Sequence, residues 1–134
     1  MIVNRQRRLR VEEAALSAFT AALRRELRLA PESFTVALVS DRAIARLNRR
    51  HRGLSSPTDV LSFPAREGNG YLGDVVISTE TARRNARRYR HKTEEEIKLL
   101  ILHGVLHLLG EDHETDDGRM TRRERTLRRR LGLE

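Results

Sequence analysis

The sequence predicts an α+β fold: a small mixed β-sheet with helices packed on it, and a metal site on a buried helix. Three observations carry that expectation. Helically spaced stretches alternate with short runs rich in apolar and β-branched residues. Two of those runs flank a glycine-rich turn, which suggests a hairpin. Late in the chain, one helical stretch is apolar nearly all round, and such a helix belongs inside a core. A chain of 134 residues suits one domain, here 1–134.

The elements follow in order. Ile2 and Val3 are candidates for a first strand. Residues 11–29 have helical spacing, with Ala14, Ala15, Ala18, Phe19, Ala22, Leu23 and Leu27 recurring at three and four residues, and Pro31 marks the end. FTVALV, residues 34–39, is a buried strand. Ser40 or Asp41 caps the next helix, whose face is Ile44, Ala45 and Leu47 and which ends near Asn48, before a basic loop RRHRG. SSPTDVLSFP, 55–64, is a loop leading into a strand. The turn GNG, 68–70, separates it from the strand YLGDVVIS, 71–78. Ser78 or Thr79 starts a helix that runs to about Tyr89. Thr93 and Glu96 have the spacing of a capping box and open the apolar helix. A final polar helix covers about 117–131.

Composition narrows the function classes. Net charge is +8, and of the 27 basic side chains all but Lys92 and Lys98 are arginines. Arginine carries a planar fork of donors that matches phosphate, so the balance favours a polyanionic partner. There is no cysteine, which excludes disulfides and thiolate metal sites. The basic N-terminus lacks the apolar run of a signal peptide, and no stretch approaches the length of a membrane span. A cytoplasmic protein, not a membrane one, is expected.

Three of the five histidines fall in HGVLHLLGEDH, residues 103–113. His103 and His107 are four apart and project from one face of the apolar helix. Gly110 readily takes the left-handed backbone that ends a helix, so the chain can swing His113 back toward the pair. Three imidazoles with an open fourth position form a catalytic zinc arrangement, since the open position holds a water. The expected cofactor is therefore one Zn²⁺ on His103, His107 and His113, although imidazoles also suit Ni²⁺. The same ligand spacing occurs in metzincin proteases, where a glutamate follows the first histidine and acts as general base. Here that position is Gly104, which cannot move a proton. Glu111 and Asp112 lie beyond the turn; Asp112 can orient a ligand histidine or serve the turn itself.

These residues resemble the YbeY family of bacterial endoribonucleases, whose hallmark is similar to H-G-x-L-H-L-x-G-x-D-H. His103, Gly104, Leu106, His107, Leu108, Gly110, Asp112 and His113 match it. PTDVLSFP at 57–64 and LGDVVIS at 72–78 agree as well, as do Met120, Glu124 and Leu127. LNRRHRG, 47–53, resembles the segment that brings a family arginine toward the metal cleft, with Arg52 at the matching position. Glu111 departs from the pattern, since the family often has an aromatic there. The resemblance implies a zinc-dependent endoribonuclease acting on single-stranded RNA. It also implies maturation of the 3′ end of the small-subunit ribosomal RNA, ribosome quality control, and partners in the small ribosomal subunit and its assembly factors. Arg52 would bind the scissile phosphate, and Asp112 would act beside the metal. A metallopeptidase and a non-catalytic ribosome-assembly factor are the rival readings.

Other residues carry less. Asp59, Ser62 and Asp74 are polar points in apolar strands that can shape a cleft, or simply serve strand ends. Phe63 is expected in the core, and His51 and His91 on the surface. Arg83, Arg84, Arg87 and Arg88 span several faces of one helix and cannot all meet one RNA. Aromatic residues make up only 4% of the chain, so weak sequence readout by stacking is expected.

Overall fold

A computed structural model describes residues 1–54, 56–66, 70–111 and 117–133. Four strands, β1 (Ile2–Asn4), β2 (Phe34–Val39), β3 (Val60–Pro64) and β4 (Gly73–Ser78), form one sheet in the order β1-β2-β4-β3. β1, β2 and β4 run parallel, and β3 is antiparallel to β4. The hairpin read from the sequence is present, with Val60 opposite Ile77 and Pro64 opposite Gly73. Among the described residues the helices are α1 (Glu13–Leu27), α2 (Asp41–Arg52), α3 (Thr79–Arg88), α4 (Thr93–Leu108) and α5 (Arg119–Arg130).

Strand alternation sorts the core onto two faces. Phe34, Val36, Leu38, Val75 and Ile77 pack with α1, α4 and α5. Val39, Leu61 and Val76 pack with Ile44 of α2 on the opposite face. α4 has nine buried residues, from Glu96 to Leu108, as its sequence implied. Met120 and Leu127 bring α5 onto it.

Four expectations need correcting. The buried stripe of α1 is Leu16, Phe19, Thr20 and Leu23, while Ala14 and Ala18 are exposed. Large side chains gain more by burial than alanines do, so they set the phase. α2 does not end near Asn48. It runs a further turn through the basic segment to Arg52, and Gly53 ends it. Basic side chains suit the negative end of a helix. Asn48 is buried and its amide donates to the Ser56 carbonyl at 3.0 Å. The capping box on α4 is not formed: Lys92 is the N-cap, with no side-chain bond. Glu96 turns instead to His91, at 2.6 Å, and to Asn85. His91, expected on the surface, is thereby held in a part-buried pair.

Candidate metal centre and its cleft

Helical spacing stacks His103 and His107 on the one side of α4 that is not fully buried. Their ring centroids are 4.6 Å apart and the rings nearly perpendicular. The two Nε2 atoms face each other at 3.1 Å. On the far side of His103, Nδ1 meets the Glu124 carboxylate of α5 at 3.1 Å. A carboxylate can only accept, so Nδ1 donates and Nε2 turns its lone pair toward His107. Two lone pairs cannot face each other at this distance without a proton or cation between them. The separation is close to the edge, about 3.3 Å, of a tetrahedron whose centre lies about 2.0 Å from each nitrogen, the usual zinc–imidazole distance. The donor pair fits a metal ion by chemistry and by spacing. His113 and Asp112, expected beside it, lie outside the described residues. Among the described residues no group of three histidine or acidic side chains is placed to hold a metal ion.

Gly104 faces the sheet, on the side of the helix next to the histidine stripe. A Cβ there would come within 2.6 Å of Val75 Cγ1 and 3.2 Å of Ser62 Oγ. The absent carboxylate is thus explained by packing: no longer side chain fits between α4 and the strands. Ser62 uses the close approach to donate to the Gly104 carbonyl at 2.9 Å, pinning β3 to the histidine helix. Gly110, at φ 90°, ends α4 as the sequence implied. Its N–H donates to the His107 carbonyl at 2.9 Å and that of Glu111 to Leu106 at 3.1 Å, the paired bonds of a Schellman turn. The Glu111 carboxylate is drawn away to Arg123 of α5.

A cleft of about 510 Å³ opens over the pair. Arg52, Asp59, Ser62, His103 and His107 line it. The structure therefore brings Arg52 to the histidines, although from a helix end and not from the loop expected. His51 stays with α2, its ring 4.7 Å from that of Phe63. Phe63 is only partly buried, at the edge of the α2 core. Asp59 accepts from the Asn85 amide at 3.2 Å. Asp74 lies away from the cleft lining and pairs with the Tyr71 hydroxyl. Burial, together with Asp74, holds the Tyr71 phenol above its usual pKa. The four arginines of α3 divide as expected. Arg83, Arg84 and Arg87 line a separate cleft with Arg8, and Arg88 lies over Tyr89. The contact of Glu124 with His103 is what the reading of residue spacing did not foresee. The Glu124 helix is polar, and beyond the family match the tertiary contact with His103 sets this residue apart from the other acids.

A family model described as Endoribonuclease YbeY matches residues 1–132. A protein of Solibacter usitatus named Endoribonuclease YbeY is 50% identical over 100 residues, covering 75% of this chain and 67% of the relative. One of the same name from Symbiobacterium thermophilum is 43% identical, covering 92% and 84%. Another, from Pelotomaculum thermopropionicum, is 38% identical, covering 99% and 97%. Among solved structures, the solution structure of TM1509 from Thermotoga maritima is similar, with a TM-score of 0.64 and 29% identity over 94% of this chain and 85% of that one.

Proposed function

The chain belongs to the YbeY family, and on that basis we propose that it is a metal-dependent endoribonuclease that cleaves single-stranded RNA during ribosomal RNA maturation. The observation that carries this reading is the meeting of His103, His107 and Arg52 in one cleft. The cofactor is Zn²⁺, held by His103, His107 and His113, with Ni²⁺ as the ion that imidazoles would also accept. Bound there, such an ion lowers the pKa of a water and offsets phosphate charge.

The chain's own groups do the rest. Glu124 holds the Nδ1 proton of His103 and so presents Nε2 to the cleft. Arg52, with its planar donors, takes the non-bridging oxygens of the scissile phosphate and stabilises the charge that develops there. To Asp112, outside the described residues, we assign the orienting of a ligand histidine. The Ser62 hydroxyl proton is committed to the Gly104 carbonyl, and the nucleophile we assign is a water or the ribose 2′-hydroxyl. The position at which a metallopeptidase carries its glutamate is Gly104 here, and Val75 leaves no room for a side chain on it. That, with the +8 charge, favours a phosphodiester over a peptide bond. The substrate we assign is the 3′ end of the small-subunit ribosomal RNA, met in the cytoplasm with the small subunit and its assembly factors. Among the described residues no helix is long and apolar enough to cross a membrane.

Metal-loaded protein free of contaminating nuclease should cleave unstructured RNA. His103→Ala should stay folded, bind RNA and not cleave it. Absence of cleavage by the wild type, or full cleavage by the variant, would overturn the assignment. The product ends identify the nucleophile: a 2′,3′-cyclic phosphate means the ribose hydroxyl, a 5′-phosphate means water.

A further inference from the structure

A second cleft, of about 690 Å³, adjoins the first and shares Asp59, Val60 and His103 with it. Its other walls include Tyr89, His91, Leu99, Leu100 and Arg128. We propose that this cleft is a nucleotide subsite, in which one RNA base stacks on Tyr89 and the adjoining backbone phosphate meets Arg128. The proposal rests on the endoribonuclease reading and extends it to how the strand is held beside the metal pair.

Tyr89 is the first support. It is 62% exposed, the one aromatic among the exposed large hydrophobic side chains of the described residues. Its backbone is nevertheless held: its N–H donates to the Asn85 carbonyl of α3 at 2.9 Å, and the His91 N–H just beyond donates to Ala86 at 3.0 Å. The Arg88 guanidinium lies 5.9 Å from its ring centroid and the His91 ring 6.4 Å away, tilted at 54°. His91 is itself held by Glu96. An exposed ring on a held backbone, with a cation over one face, leaves its other face as a platform for a base, and every base has a face to offer it.

The charges of the cleft say which part of a nucleotide goes where. Its acids Glu96 and Glu124 are committed to His91 and His103. Their presence, with Asp59, still disfavours an anion on the floor, where Leu100 is buried and Leu99 partly so. A neutral base suits that floor. The phosphate belongs at Arg128, whose guanidinium lines the wall and whose Nε is shielded from water with no hydrogen-bond partner among the described residues. The volume suits one nucleotide with room for its neighbour's sugar.

The chain has no tryptophan, so Tyr89→Trp creates a single emitter at the platform. Metal-free Tyr89→Trp protein should be quenched saturably by a short single-stranded oligoadenylate and left unchanged by inorganic polyphosphate. Tyr89→Ala should weaken binding of the same oligonucleotide by about fivefold or more, and Tyr89→Phe should restore it. Arg128→Gln should reduce the slope of log affinity against log salt by about 0.7, the share of one phosphate on a single strand. Unquenched emission with wild-type affinity in Tyr89→Ala would sink the subsite. The two readings fail separately. If the wild type cleaves RNA with an unchanged KM in Tyr89→Ala, the subsite falls and the endoribonuclease stands. If the tryptophan is quenched by RNA that the metal-loaded protein never cleaves, the subsite stands and the activity falls.

Discussion

At Gly104 two opposing effects can be ranked. Alanine would gain about 1 kcal/mol of helix propensity over glycine. Its Cβ would also meet Val75 Cγ1 at 2.6 Å, and valine, branched at Cβ, has little freedom to turn aside. Overpacking of this kind costs about 1–3 kcal/mol, so Gly104→Ala should be destabilised in urea denaturation. The double variant Gly104→Ala, Val75→Ala should lose less than the sum of the two single changes, because the clash disappears. The glycine was legible as a missing base, but its structural reason lay in Val75 and Ser62, which no helical spacing brings into view. Glu124 is the complementary case. Glu124→Gln should leave the melting temperature nearly unchanged and weaken metal binding about 10- to 100-fold, as read by chelator competition. A similar loss of stability would make Glu124 a structural contact only.

At the scale of elements, the N-termini of α2 and α3 hold one another. Asp41 accepts from the Ser78 and Thr81 hydroxyls and from Arg84, while Glu80 of α3 accepts from the Asp41 backbone N–H at 2.9 Å. Burial alone would raise the Asp41 pKa. The hydrogen bonds from Ser78, Thr81 and Arg84, with the arginine charge, outweigh it and hold the carboxyl below its usual range. A depressed folded pKa means that ionised Asp41 stabilises the protein fully above the ordinary aspartate pKa, about 3.9, and that this is lost as pH falls through the folded value. Asp41→Asn should therefore lose about 1–3 kcal/mol at neutral pH. The gap to wild type should close in acid, in urea titrations run from pH 7 downward. A gap that stays constant with pH would assign the effect to shape and not charge. Ser40 and Ser78, which cap α2 and α3, were visible in the sequence because a cap acts on the turn beside it. The cap of α4 was misread for the converse reason, since Glu96 found partners in His91 and Asn85.

For the whole molecule, the charge of +8 acts through position as much as number. Arg8, Arg83, Arg84 and Arg87 surround one cleft, whereas Arg52 stands at another beside the histidines. RNA affinity should fall steeply with salt for any sequence, since each phosphate neutralised contributes about −0.7 to the log–log slope. Arg52→Ala should leave the fold intact, because the side chain is exposed. Its turnover should fall about 100-fold, as for other lost donors to a developing oxyanion. Single-turnover cleavage of a labelled oligonucleotide measures it, and near-normal turnover would remove Arg52 from the reaction. By itself the sequence determined the α+β class, the hairpin, the buried helix and the spacing of His103 and His107. Those are properties of residues near one another along an element, where periodicity, caps and turn glycines act. Only the tertiary structure decided that Glu124 holds His103, that Val75 excludes a side chain at position 104, that α2 extends far enough to carry Arg52 to the cleft, and that Tyr89 stands beside it. Each of those is a contact between elements, set by how the faces pack across the sheet, and local spacing carries no record of which faces meet.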